Sequence, residues 1–320
     1  MNEQQNMLRD LAEGLFAELG AEASLASDWS RIEELGLPGL LIGEAEGGFG
    51  GTWEDALIVF RLAGFNALAI PVVESILAAF VSQRTTGRGT VAGRTTGIIE
   101  DGRFAGEIDG ICQGQGADYL VAPHPEGGSI VLALEGHDLA ELRNVAGEMR
   151  QSLSLVDVPV TITKGDIFVL GALARAAQIA GALDAALGKS VDYANERKQF
   201  GKNLAQFQAV QQNLATFACE AAAANCAAMG AAQALDRNAD SVFEVAAAKL
   251  RANRAVGAGT ALAHQVHGAI GFTEEYPLHP LTRRLWAWRS EFGNDSRWSE
   301  LLGARITARG ANNFWADLTA

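Results

Sequence analysis

Cysteine is scarce in this chain: Cys112, Cys219 and Cys226 are the only three among 320 residues. An odd count, with the last two placed two helical turns apart, excludes a disulfide framework and a Cys-x-x-Cys metal site. The expectation is small buried thiols in a reducing compartment. Positive charge is also in deficit. Lys and Arg number 25 against 38 Asp and Glu, for a net charge of −13. Arg283-Arg284 is only a pair and no basic stripe exists, so nucleic acid is not an expected partner. No uninterrupted apolar run reaches the roughly 18 residues of a membrane span, so no membrane association is expected. The opening MNEQQNMLRDLAEG is too polar and acidic for a signal peptide, which makes the cytoplasm the expected location. No HExxH string is present. His264 and His267 stand one helical turn apart without a third ligand, so no metal site is expected.

What is present is a folded globular composition, 48% apolar and 20% charged. The length suits two domains or three small ones sharing a core. Residues 1–85 read as helical. Leu8, Leu11, Leu15 and Leu19 recur at helical spacing. Ser27 or Asp28 is the expected cap of a second helix ended by Gly36 and Pro38. Thr52 caps a helix carrying Trp53, Leu57 and Phe60, and Pro71 starts another. Residues 86–165 read as a small β domain, with short runs at Thr95–Glu100, Tyr119–Ala122, Ile130–Leu134 and Ser152–Val158. Asp101-Gly102 predicts a hairpin turn, and Gly127-Gly128 a second turn. Residues 166–320 return to helix. Leu173, Ala177, Ala180 and Leu183 mark one face, and Phe217, Ala221, Ala224 and Ala228 form a bundle seam. The fold class is therefore mostly α with a small middle β domain and a C-terminal helical bundle.

Arg197-Lys198-Gln199-Phe200-Gly201 stands between two long alanine-rich helical segments, with Gln208 shortly after. A guanidinium bonds two phosphate oxygens at once, which suits a pyrophosphate. Gly201 permits a sharp turn, Phe200 offers an apolar ring, and Gln208 an amide donor and acceptor. On spacing alone an ordinary helix end explains the same residues, because basic side chains and glycine both favour helix C-termini.

Three elements taken together resemble the acyl-CoA dehydrogenase family. The first is Leu35-Gly36-Leu37 with the segment 44–50. The second is Arg197–Gly201 with the segment 204–211. The third is Gln265-Val266-His267-Gly268-Ala269-Ile270-Gly271-Phe272. They fall in family order and the resemblance covers nearly the whole chain. It implies an N-terminal helical domain, a β-barrel-like middle domain and a C-terminal four-helix bundle. It further implies FAD as cofactor, an acyl-CoA substrate and a separate electron-transfer acceptor. Arg197, Gln199, Phe200, Gln208, Gln265 and Gly268 are the implied cofactor-binding residues, reaching the FAD pyrophosphate and adenosine end across a subunit interface.

The resemblance breaks where the family carries its catalytic carboxylate. One such position falls on Phe292 and a second on Gly171, so no catalytic residue is assigned. The segment 84–100 also lacks the pattern that usually cradles the flavin ring. Residues 271–284 resemble the heteromeric bacterial branch, in which a short subunit without the base accompanies a full one, often on steroid side chains. The implied assembly is an α2β2 heterotetramer with a second acyl-CoA dehydrogenase subunit. Two alternatives stay open: a self-sufficient enzyme using Glu291 as base, and a non-catalytic assembly subunit. Elsewhere, Glu274 and Glu275 are expected to cap a helix or to pair with Arg283 or Arg284. Trp286, Trp288 and Trp298 are expected in the core or at an interface.

Overall fold

The computed structural model describes residues 2–237 and 240–313. Four helices come first: α1 (Glu3–Leu19), α2 (Leu25–Glu34), α3 (Trp53–Phe65) and α4 (Val72–Ser82). The Thr52 hydroxyl accepts from the Asp55 N–H while the Asp55 carboxylate accepts from the Thr52 N–H, a reciprocal cap that starts α3. Ser24, not Ser27 or Asp28, precedes α2. The Asp28 carboxylate instead accepts from the Ser24 backbone N–H at 2.8 Å, so the sequence reading started this helix three or four residues late.

Seven strands follow: β1 (Gly89–Val91), β2 (Arg94–Glu100), β3 (Arg103–Cys112), β4 (Tyr119–Pro123), β5 (Ser129–Ala133), β6 (Arg150–Pro159) and β7 (Thr161–Thr163). They form one sheet in the order β1-β4-β5-β7 and another in the order β2-β3-β6. Asp101 and Gly102 both adopt positive φ, 48° and 73°, and join β2 to β3 with Glu100 paired to Arg103. That is the backbone a two-residue hairpin needs. Phe104, Ile108, Leu120, Ile130, Leu153 and Leu155 fill a core drawn from both sheets.

The remaining helices are α5 (Ile167–Glu196), α6 (Gln208–Asp236), α7 (Val242–His267), α8 (His279–Ser290) and α9 (Asp295–Arg309). A two-stranded hairpin, β8 (Lys198–Gln199) and β9 (Lys202–Asn203), joins α5 to α6. The abundant small residues have a direct use at the crossing of α3 and α5. A Cβ on Gly64 would collide with the Gln178 carbonyl, and one on Gly181 with the Arg61 carbonyl. Only glycine permits that backbone approach. A single apolar core runs from Phe16 and Phe60 through Leu173 and Leu183 to Phe217 and Trp288.

Two helices, α5 and α6, have the length and composition of a membrane span even though no unbroken apolar run exists. In α5, 83% of the span is buried inside the protein, whereas in α6 only 28% is. Cys112 is buried, but Cys219 and Cys226 are exposed on α6, contrary to the expectation of three buried thiols. Trp288 and Trp298 are core residues, while Trp286 is 44% exposed.

Candidate functional site

Two cavities concern the residues singled out above. The first, of about 330 Å³, lies where the ends of three helices meet. Arg197 caps the C-terminus of α5, where the negative end of the helix dipole suits a cation. Gln199 follows in β8. Gln265 and Gly268 come from the last turn of α7. All four line this cavity, although about seventy residues separate the two pairs in sequence. Gly268 has φ +63°, and a Cβ there would meet nothing within 4 Å, so backbone angle rather than space calls for glycine.

Ala209 and Val210, in the first turn of α6, line the same cavity. That helix starts without any side-chain cap. The Val210 and Gln211 N–H groups donate back to the Phe207 carbonyl, so the Gln208 and Ala209 N–H groups and the positive end of the helix dipole are what this terminus offers an anion. The Arg197 guanidinium makes no hydrogen bond or ion pair with the described residues. On a chain of net charge −13 this leaves an unspent cation beside an open helix N-terminus. The donor set, one guanidinium with the Gln199 and Gln265 amides, fits the phosphate-bearing half of FAD.

Phe200 and Gln208 do not line the cavity. Phe200 sits at the tip of the β8–β9 hairpin with φ +52°, 92% exposed, its ring 6.3 Å edge-on from Phe207. Gln208 is the exposed first residue of α6. Tyr193 and Asn213 line the cavity and were not singled out from the sequence, and His267, weighed there without any binding role, lines it as well. Tyr193 lies one helical turn before Arg197, a spacing that would have found it.

The second cavity is larger, about 1130 Å³, and lies between the strands and the last two helices. The Phe292 ring forms part of its wall and packs against Gly171 of α5. The two positions where the resemblance placed a base therefore touch, and neither carries a carboxylate. Every carboxylate on this wall is engaged. Asp109 pairs with Arg94 at 2.7 Å. Asp166 caps α5 by accepting from the Phe168 and Val169 N–H groups. The His124 Nδ1 accepts from the Glu126 N–H, which puts its proton on the other nitrogen and makes that nitrogen a donor.

Glu291 is the most tightly held of these groups. Its Oε1 accepts from Arg150 Nε at 2.7 Å and from Asn144 Nδ2 at 3.0 Å, and its Oε2 accepts from Arg175 Nε at 2.8 Å. Burial works against its charge, but the two guanidiniums outweigh burial and hold the carboxyl far below the ordinary range. Such a carboxylate is a poor proton acceptor and has no freedom to reach a substrate, which argues against Glu291 as base. The network extends to Glu74, bonded by Arg175 at 2.7 Å, and to Glu148, bonded by Arg150 and Arg284. Arg284 thus pairs with Glu148, and Arg283 donates to the Val145 carbonyl. This corrects the expected pairing with Glu274 or Glu275, because the segment 144–148 reaches α8 first.

Two of the five histidines stack on aromatic rings. His264 stacks on Phe272 at 4.1 Å and His267 on Tyr193 at 4.7 Å. No cluster of three metal-ligating side chains exists among the described residues.

Helices flanking two small sheets, followed by a helical bundle, are the architecture this chain shares with acyl-CoA dehydrogenases. Residues 162–306 match the family model described as "Acyl-CoA dehydrogenase, C-terminal domain". The chain is 30% identical over 326 residues to the acyl-CoA dehydrogenase FadE34 of Mycobacterium tuberculosis. That match covers 94% of this chain and 45% of FadE34, so the chain spans about half the length of that relative. Two solved structures share the fold. One is a variant of the steroid ACAD Tcur3481-Tcur3483, with a TM-score of 0.87 and 22% identity, covering 96% of this chain and 98% of the other. The other is the ChsE4-ChsE5 complex from Mycobacterium tuberculosis, with a TM-score of 0.82 and 20% identity over the same shares. The chain belongs to the acyl-CoA dehydrogenase family.

Proposed function

We propose that this chain is a subunit of an FAD-dependent acyl-CoA dehydrogenase that introduces an α,β double bond into an acyl-CoA thioester. Its part is to hold the dinucleotide half of FAD at a subunit contact. A second subunit of the same family supplies the catalytic carboxylate and the flavin-ring pocket, in an α2β2 heterotetramer that passes electrons to a separate acceptor. The observation that carries this reading is a pairing of opposites. Arg197, Gln199, Gln265 and Gly268 converge on one pocket with the guanidinium unengaged, while Phe292 and Gly171 fill the two base positions with a ring and a hydrogen atom.

When bound, FAD supplies the acceptor for hydride leaving the β carbon. What this chain's residues do is bind and orient. Arg197 neutralises phosphate charge, the α6 N-terminus adds N–H donors, and the two glutamine amides satisfy the remaining polar edges. The exposure of Phe200 and of most of α6 suits a contact with a second subunit. The steroid ACAD among the structural neighbours supports a bulky, steroid-like acyl group.

The test is to purify the chain alone and together with the family member encoded beside it. The lone chain is expected to be colourless and inactive on acyl-CoA, and the complex yellow and active. Turnover of acyl-CoA by the lone chain would defeat the proposal.

A further inference from the structure

Behind the 330 Å³ pocket lies a group of three rings that the proposed function has not used. His267 is 3% exposed. Its Nδ1 lies 2.8 Å from the Ala263 carbonyl, which only accepts, so Nδ1 carries the proton. Its Nε2 lies 3.2 Å from the Tyr276 hydroxyl, which donates to it. Tyr193 of α5 stacks on the imidazole at 4.7 Å and 29°, and Tyr276 meets Tyr193 edge-on at 5.9 Å and 78°. Burial pushes the imidazole pKa below its ordinary value, which keeps the ring neutral and Nε2 an acceptor.

The placement of these rings matters more than their packing energy. Tyr193 is one turn before Arg197 on α5. His267 immediately precedes Gly268 at the end of α7 and is two residues from Gln265. The ring group therefore bolts the helix end that presents Arg197 to the helix end that presents Gln265 and Gly268. The Tyr193–His267 stack is the contact that crosses between the two ends, and the hydrogen bond from Tyr276 holds the imidazole in place for it. Tyr276, on the segment that leaves the Gly268 turn, sets the imidazole through its hydroxyl.

Resting on the nucleotide-grip reading above, we infer that His267, oriented by the Tyr276 hydroxyl and stacked on Tyr193, is a positioning residue that fixes the separation of Arg197 from the Gln265–Gly268 turn. It sets the affinity for ligands that bridge both, and not for ligands that touch Arg197 alone. ADP is the probe expected to bridge both ends, and inorganic pyrophosphate the probe expected to engage the guanidinium and the α6 N-terminus alone.

The experiment is calorimetric titration of the flavin-stripped complex, in which this chain is varied and its partner subunit is not, with ADP and, separately, with pyrophosphate, alongside thermal melting. The proteins are wild type, Arg197→Ala, Tyr276→Phe and His267→Phe. Tyr276→Phe removes one hydroxyl, and His267→Phe keeps the stack while deleting both ring hydrogen bonds. Each is expected to weaken ADP by about fivefold, the size of one net hydrogen bond, with pyrophosphate affinity unchanged. Equal losses for both probes, or ADP binding unchanged in both variants while Arg197→Ala abolishes it, would overturn the inference and leave the grip standing. No ADP binding by wild type, or binding indifferent to Arg197→Ala, would overturn the grip itself and this inference with it.

Discussion

The Phe292 ring lies against Gly171, so close that a Cβ on that glycine would stand 2.5 Å from Phe292 Cε1 and 2.7 Å from its Cγ. Only one of the two positions has room for a side chain. Phe292 also holds φ +50°, and the next residue, Gly293, holds φ +100°. The Trp298 indole N–H fixes the turn by donating to the Phe292 carbonyl at 3.1 Å. The wall of the large cavity is thus built around this ring. Gly171→Ala is expected to cost about 1–3 kcal/mol by overpacking, and Phe292→Ala about 3 kcal/mol by leaving a void. In the double variant the alanine methyl fills part of that void, so the two losses should sum to more than the double loss. Urea denaturation of the four proteins measures this coupling.

Glu291 is a structural anion in this account. Glu291→Gln leaves Arg150 and Arg175 facing a neutral amide in a buried place and should cost about 3 kcal/mol at pH 7. The pH dependence follows from a folded-state pKa held below the unfolded one. The contribution is complete above the ordinary carboxylate range, near pH 4.5, and is lost as pH falls below it. Denaturation curves from pH 3 to pH 7 should show a steep acid decline in wild type that Glu291→Gln flattens. Parallel declines would place the acid-sensitive group elsewhere.

Lys249 makes a prediction of the same sign in a higher pH window. It is fully buried, and its ammonium donates to Asn253 Oδ1 at 2.6 Å and to the Trp288 and Arg289 carbonyls at 2.9 and 3.1 Å, closing the C-terminal end of α8. Burial lowers its pKa to about 7. Between that value and the unfolded value near 10, the unfolded chain binds the extra proton. Stability relative to Lys249→Met should therefore rise as pH climbs from about 7 to about 10. Denaturant midpoints of both proteins at pH 7 and 9.5 test the sign. The comparison with the variant also removes the opposing effect of Cys112, whose thiol burial pushes up to about 12.

How much of this was legible in the sequence depended on how local each signal was. Asp101-Gly102 demanded its hairpin whatever surrounded it, and Thr52 announced α3 through its own first turn. Arg197 and Gln199 were legible as a pair because they adjoin in one hairpin. The Arg150–Glu291–Arg175 network was not, because its members come from β6, the end of α8 and the middle of α5. Arg150 and Arg175 each read alone as surface charges and Glu291 as an alternative base, and only the tertiary fold buries all three together. His267 was weighed only as one of a histidine pair without a third metal ligand. Its bridge to Tyr193 and Tyr276 stayed hidden because an aromatic at helical spacing looks like ordinary core. Strand β3 was implied by the Asp101-Gly102 hairpin but not bounded, because Gly106, Gly110, Glu107 and Asp109 dilute its apolar alternation, and Phe104 covers the facing Gly97–Gly106 pair.

The most direct test of the nucleotide grip is the flavin content of the complex formed with the partner subunit, compared between wild type and Arg197→Ala. Absorbance of released FAD per complex, with assembly checked by size-exclusion chromatography, gives the number. The account predicts an assembled Arg197→Ala complex that has lost most of its FAD and regains part of it when FAD is added in excess. An assembled variant with the full flavin content of wild type would contradict it.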